Sequence, residues 1–405
     1  MSFLESAGRA RASLLRHRVI AATAGAATAV LVAGCAYAAT SNASGREKLT
    51  SVSENKPAAR STAPKTQAAP VRPLKLLSVT PAGGAKHANG GAPIKVTFSS
   101  ALSPSTPLPT LSPSIPGSWQ VAGSTATFTP SSGYLPGTTV KLKVPSGMTA
   151  AAAGTLAKSS SFTFTTGTYS ILRLEELLTQ LDYLPLNWTP SDPSAATVPT
   201  GNANAQVAAA YDAPAGSFTF KSGYPSQLTS QWQVGASNIL VTGAIRAFEY
   251  NQGLTMDGTA GPQVWSDLLT AVRKNQTNPN GYTYALADQD SPNESLRVWH
   301  DGKVILDTPA NTGIAAASTA DGTFPVYLRY QFQMMKGTNP DGSKYDDPVS
   351  WVSYFNGGDA VHEFDRASYG WYQSLGCVEL PAEPAQFIWP YLTYGTLVTV
   401  EGPVA

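Results

Sequence analysis

Between Leu74 and Gly167 the chain repeats short segments of alternating character: Ile94-Lys95-Val96-Thr97-Phe98, Ser124-Thr125-Ala126-Thr127-Phe128-Thr129, Thr139-Val140-Lys141-Leu142-Lys143-Val144 and Ser161-Phe162-Thr163-Phe164-Thr165. Period two sends every second side chain to one face, so each segment buries one side and wets the other. Turn residues separate the segments, and the stretch 74–168 is therefore expected to fold as an antiparallel β-sandwich. With 35 glycines and 31 prolines, the rest of the chain has ample turn and linker material as well. Charged residues make up 13% of the sequence and the net charge is +1. No basic field exists to hold a nucleic acid, and no acidic run suggests a solvating tail.

The period changes after residue 168. Leu174, Leu177, Leu178 and Leu181 recur at helical spacing, as do Val241, Ala244, Ile245 and Phe248, and then Trp265, Leu268, Leu269 and Val272. Three helices are expected within 169–276, the first over 171–182, with Pro262 well placed at a helix start. Residues 189–238, rich in Pro, Gly, Ser and Ala, read as an insertion between the first helix and the second. From 279 to 403 the pattern returns to strands: Tyr282-Thr283-Tyr284-Ala285-Leu286, Leu296-Arg297-Val298-Trp299 and Lys303-Val304-Ile305-Leu306, with Asp301-Gly302 as a hairpin turn. Gln331 to Ser350 carries Gly337, Asn339-Pro340-Asp341-Gly342 and Asp346-Asp347-Pro348, and is expected to be a long loop acting as a lid.

The N-terminus reads as a targeting segment. Arg9, Arg11, Arg16 and Arg18 precede an apolar run, Val19 to Gly34, shorter than the roughly 20 residues a membrane span needs. The run ends in Leu31-Val32-Ala33-Gly34-Cys35, which resembles a bacterial lipobox. That resemblance implies a lipoprotein signal peptide over 1–35, with Cys35 as the new N-terminus carrying a diacylglyceryl group on the outer face of the cytoplasmic membrane. Ordinary cleavage after Ala36-Tyr37-Ala38 is the alternative. Residues 36–73, rich in Ser, Ala, Pro, Lys and Thr, are expected to be a disordered tether.

Chemistry concentrates near the C-terminus. The four histidines (His17, His87, His300 and His362) are scattered, with no His-Glu-x-x-His and no cysteine pair at metal spacing, so neither metal nor cofactor is expected. Cys35 being given to lipid, Cys377 has no partner for a disulfide. It follows Ser374-Leu375-Gly376, and His362 precedes it. A thiol with an ordinary pKa near 8.5 is mostly protonated at neutral pH, so a nucleophilic cysteine needs an imidazole to take its proton. Gly376 would let a substrate carbonyl approach backbone N–H groups that hold an oxyanion.

These residues resemble the signature of the L,D-transpeptidase (YkuD-type) family, in which a histidine precedes a Ser-x-Gly-Cys stretch. Ser318 to Val326 looks like that family's Thr-x-x-Gly-x-Phe strand, and Gly395 to Val400 like its closing strand. The resemblance implies Cys377 as nucleophile, His362 as general base, and Ser374, Leu375 and Gly376 as support for the oxyanion and the active site. It further implies peptidoglycan stem peptides and glycan as partners, 3→3 cross-linking as the reaction, and carbapenem β-lactams as inhibitors. An L,D-carboxypeptidase using the same pair, or a catalytically idle scaffold, are the alternatives. Leu375 and Glu379 depart from the family, which commonly has a histidine and an arginine or asparagine there; Glu363 stands where glycine or serine is common. The sandwich resembles a bacterial Ig-like domain. Gly253 to Pro262, with Ala244, Phe248 and Trp265, resembles a three-helix peptidoglycan-binding domain. The whole is expected to be multidomain and mainly β: Ig-like sandwich, small helical domain, β-rich catalytic domain.

Overall fold

The computed structural model describes residues 71–403 except 153, 197–202 and 291. The expected signal segment with Cys35, and the tether up to residue 70, lie outside the described residues. Among those described, no helix is long and apolar enough to cross a membrane.

The N-terminal strands are β1 (Leu76–Thr80), β2 (Ile94–Phe98), β3 (Thr110–Ser112), β4 (Gly117–Ala122), β5 (Thr125–Pro130), β6 (Thr139–Val144) and β7 (Ser160–Thr165). They form two antiparallel sheets, ordered β1-β2-β5-β4 and β3-β6-β7. The alternation in the sequence is the alternation in the fold: in β6, Val140, Leu142 and Val144 are buried while Thr139, Lys141 and Lys143 face water. Val96, Phe98, Ala126, Phe128 and Phe164 meet them in one apolar core.

The helical section holds α1 (Ile171–Gln180), β8 (Leu186–Pro190), α2 (Ala203–Tyr211), β9 (Gly216–Phe220), α3 (Ser226–Thr229), α4 (Ile239–Gln252) and α5 (Pro262–Lys274). Ser170 caps α1 by accepting from the Arg173 N–H, and Asn238 caps α4 by accepting from Val241. Gly253, with φ 68°, ends α4 in the left-handed conformation that glycine adopts without strain. The expected insertion 189–238 is therefore structured over much of its length, containing α2, β9 and α3 and ending β8.

The C-terminal section contains β10 (Thr283–Asp288), β11 (Ser295–His300), β12 (Lys303–Pro309), β13 (Gly322–Pro325), β14 (Leu328–Thr338), β15 (Lys344–Asn356), β16 (Asp359–Glu363), β17 (Val378–Leu380), α6 (Ala382–Ile388) and β18 (Leu397–Glu401). One sheet runs β12-β11-β10-β18-β13, the other β14-β15-β16-β17. Asp301 and Gly302, both with positive φ, make the tight turn between β11 and β12. Ala285, Ala287, Val398 and Val400 of the first sheet pack with Val361, Val378 and Leu380 of the second.

Alternate residues of the same strands serve a second core. Tyr284, Trp299 and Leu397 pack with Leu177, Val241, Phe248, Trp265 and Leu268 of the helices. The first sheet is thus buried on both faces. Helix α4 approaches it so closely that a Cβ on Gly243 would meet the Gly395 carbonyl oxygen at 2.7 Å. The insertion ties the sections together. Tyr211 of α2 donates to the Tyr134 carbonyl in the sandwich at 2.8 Å. On the other side Gln227 donates to Glu401 at 2.8 Å and Gln231 donates to Thr323 at 2.8 Å.

The structure corrects the reading of 331–350 as a loop. Those residues form most of a long hairpin, β14 paired with β15, with the turn at 339–343. Gly337 and Pro348 obscured the strands. Tyr345 lies against Gly337, where a Cβ would collide with its ring. Pro348 stands beyond Ser350, the outermost β15 residue paired with β16, where β15 has β14 on one side only and a proline is tolerated.

Because helices and sheet share one core, they are expected to unfold together. Gly243→Val should crowd the α4–Gly395 contact and lower stability by about 1–3 kcal/mol. Thermal melts followed by far-ultraviolet circular dichroism and by tryptophan fluorescence should shift to the same lower midpoint.

Candidate active site

Strands β16 and β17 pair in parallel, with Val361 opposite Val378 and His362 opposite Glu379. Laterally paired residues share a face of a sheet, and successive residues alternate. Val361, Val378 and Leu380 point into the core. His362, Glu379 and, one step before β17, Cys377 therefore share the opposite face. All three line an open cleft of about 840 Å³.

The connection from β16 to β17 is held by the segment after β12. Asn311 exchanges backbone hydrogen bonds with Glu379 at 3.0 and 2.9 Å, and the Thr312 carbonyl accepts from Gln373 and Ser374, both at 2.9 Å. The Asn311 side-chain oxygen accepts from the Gly370 N–H at 3.1 Å and from the Gln373 amide at 3.1 Å. Ser374 Oγ donates to the Cys377 carbonyl at 2.6 Å and accepts from the Gly376 N–H at 3.2 Å, which closes the turn before the sulfur. Gly376 has φ 113°, and a Cβ there would lie 2.6 Å from Asp359 Oδ1. Ser374 and Gly376 are thus turn formers in this structure, and the Gly376 N–H is already engaged by Ser374. Leu375 lines the cleft.

His362 is 2% exposed. Its Nδ1 donates to the Glu363 carbonyl at 2.7 Å, the orienting backbone acceptor, which leaves Nε2 with its lone pair. Burial pulls its pKa below the usual imidazole value; the Glu363 hydrogen bond and Glu379 oppose that, and Arg366 adds to it. Cys377 keeps part of its surface open to the cleft, but loss of water around the buried thiol pushes its pKa up to about 12. The Ala360 N–H works against this shift, while the Asp359 and Glu379 charges add to it. The thiol is 3.7 Å from the Gly358 carbonyl. At neutral pH the resting pair is therefore a thiol and a neutral imidazole.

Sequence reasoning missed three contributors. Tyr345 and Tyr354 of the hairpin line the same cleft as Cys377, and burial raises the pKa of both, with a smaller contribution from Cys377. Recognition of β15 as a strand would have placed Tyr345, Asp347 and Val349 on one face. The third is Arg366, whose Nε and Nη2 donate to the Glu379 carboxylate at 2.8 and 2.7 Å. Its guanidinium lies 4.5 Å from the Phe364 ring centroid. His300 is elsewhere, bonded to Thr283 at 3.0 Å and packed on Tyr391. Among the described residues no group of three or more His, Cys, Asp or Glu side chains is arranged to hold a metal ion.

Comparison with known proteins assigns two segments. Residues 283–400 match the L,D-transpeptidase catalytic domain, and residues 70–166 match the bacterial Ig-like domain. No curated protein matches the chain. Among solved structures, an L,D-transpeptidase from Mycobacterium smegmatis is 14% identical over 82% of this chain and 100% of that one, with a TM-score of 0.28. L,D-transpeptidase 3 from Mycobacterium tuberculosis, solved with a faropenem-derived adduct, is 14% identical over 81% and 98%, with a TM-score of 0.27. The catalytic domain of the E. faecium L,D-transpeptidase is 29% identical over 29% of this chain and 96% of its own, with a TM-score of 0.27.

The protonation states carry a prediction. A lowered pKa keeps His362 neutral at pH 7 and costs it that state only on acidification, so its titration midpoint should fall below 6.5. A raised thiol pKa means that thiolate appears only in strongly alkaline solution. Histidine NMR titration and thiolate absorbance check both; a thiolate signal at neutral pH would contradict the second.

Proposed function

Since residues 283–400 are an L,D-transpeptidase catalytic domain and residues 70–166 a bacterial Ig-like domain, we propose that this protein cross-links peptidoglycan stem peptides in the cell wall through a thioester on Cys377. The observation that supports the mechanism most is the shared face of His362 and Cys377, with Nδ1 committed to the Glu363 carbonyl and Nε2 left as the base.

In this mechanism Nε2 of His362 takes the Cys377 proton as the sulfur attacks the carbonyl carbon of the diamino acid's L-centre. The base is needed because the thiol alone does not ionise at neutral pH. Backbone N–H groups at the Cys377 turn hold the developing oxyanion, a role the Gly376 N–H can share only by giving up Ser374 Oγ. The imidazolium then protonates the leaving amine of the terminal D-alanine, leaving a thioester. The side-chain amine of a second stem attacks that thioester and loses its proton to His362; the C–S bond breaks, the imidazolium returns the proton to Cys377, and the product leaves as a 3→3 cross-link. With water in place of the amine, the same residues make an L,D-carboxypeptidase.

The enzyme reading extends to β-lactams of the carbapenem type, whose carbonyl offers Cys377 the same target. Intact mass after incubation with a carbapenem separates an enzyme from an idle scaffold: acylated wild type and unmodified Cys377→Ala are expected. His362→Ala should slow acylation by roughly 10²–10⁴ through loss of proton transfer. An unmodified wild type would sink the proposal.

For the N-terminus we propose lipid on Cys35 and export to the outer face of the cytoplasmic membrane. Two acyl chains at about 0.8 kcal/mol per CH₂ suffice for stable anchoring. Cys35→Ser should release the protein to the medium or leave it uncleaved; a wild type that is already soluble and begins after Ala38 would overturn this. A wall-binding contribution from the helical section 169–276 is proposed as well. It is to be tested in the intact chain, because that section shares its core with the catalytic sheet.

A further inference from the structure

Resting on the transpeptidase reading, we propose that Arg366 is the specificity residue of the cleft: its free guanidinium edge receives a carboxylate of the donor stem peptide. Three observations lead there. The first is how the fork is divided. Nε and Nη2 face Glu379, and Nη2 also donates to the Gln373 carbonyl at 3.2 Å. Nη1 has no hydrogen-bond partner among the described residues, although the side chain is 30% exposed at the cleft wall.

The second is rigidity. The guanidinium lies 4.5 Å from the Phe364 ring centroid, and the Arg366 N–H bonds to the Tyr369 hydroxyl at 3.2 Å. An arginine already fixed through Nε and Nη2 loses little freedom when its remaining Nη1 donates to a carboxylate. The third is the charge of the surroundings. Asp341, Asp347 and Asp359 line the cleft. The other cation on its wall, Lys336, is paired with Asp346 at 2.8 Å. Asp347 lies near enough to Arg366 to raise its pKa but forms no ion pair with it. For an anionic peptide entering here, Arg366 is the cation of the wall that still has an unengaged donor.

Glu379 has a defined part in this arrangement. Alone it would place a buried negative charge two residues beyond the nucleophile, where it raises the Cys377 pKa and would repel a donor carboxylate. Paired, it serves as the anchor that aims Arg366. The guanidinium enters the cleft from the β16–β17 connection, thirteen residues before its partner (379 − 366).

The carboxylate has up to three sources on a stem tetrapeptide, the C-terminal D-alanine, the diamino acid and the γ-linked D-glutamate, and their monoamides distinguish them. The experiment uses the full chain as Cys377→Ala, so that binding is measured without turnover. Calorimetric titration with the free acid and with each monoamide should show roughly tenfold weaker binding for the amide that masks the recognised group, the size expected for one charge-assisted hydrogen bond. In the Arg366→Gln/Glu379→Gln background, which keeps a neutral pair, that gap should close, and Arg366→Lys should leave part of it. A gap that persists without Arg366, a uniform loss for acid and amides alike, or no binding of the free acid would each overturn the proposal. A wild type that discriminates the peptides yet resists acylation would defeat the transpeptidase reading and leave this one standing. Thermal melts of each variant report whether its fold is kept.

Discussion

The parallel pairing of β16 with β17 is the constraint on which the site depends. Parallel neighbours cannot be joined by a tight turn, and the usual crossover is a helix. Here the crossover, residues 364–377, is irregular, and its backbone groups have to find partners elsewhere. Asn311 and Thr312 supply them, one with a side-chain oxygen and both with backbone groups. Ser374 closes the last turn. Cys377 is thus positioned by a strand register on one side and by Asn311, Thr312 and Ser374 on the other.

The same economy of faces organises the larger scale. Strands β10 and β18 pair in parallel at the middle of their sheet, with apolar residues on both sides. One side meets the second sheet and carries the cleft at a distance; the other side meets α4 and α5. Neither layer can be removed without exposing the other's core, so the helices are part of the scaffold of the catalytic section. Residues 189–238, which read as an insertion, hold contacts to the sandwich at Tyr134 and to the catalytic section at Glu401 and Thr323. The outer half of the β14–β15 hairpin at the cleft is paired on one edge only.

Much of this was legible in the chain. Strand alternation announced the sandwich, helical spacing announced α1, α4 and α5, and Asp301-Gly302 announced its turn. His362 and Cys377 could be singled out because the chemistry of a thiol demands a base. What stayed hidden has physical reasons. Tyr284 and Leu286 face one core while Ala285 and Ala287 face another, so β10 reads as a plain apolar run without saying what lies on either side. Gly337 and Pro348 punctuate a segment that tertiary pairing nevertheless holds as strands. The Arg366–Glu379 pair forms across an irregular connection, and no periodicity relates residues that meet in that way.

The thiol held in its protonated form has a consequence for durability outside the cell. Peroxides and disulfides attack thiolate, and an exported protein has no reducing pool to reverse sulfinic or sulfonic acid. Cys377, the one free cysteine among the described residues, has a thiol pKa raised by burial and so rests at neutral pH in the less oxidisable form. The burial that holds Cys377 as a thiol is also what protects it from oxidants.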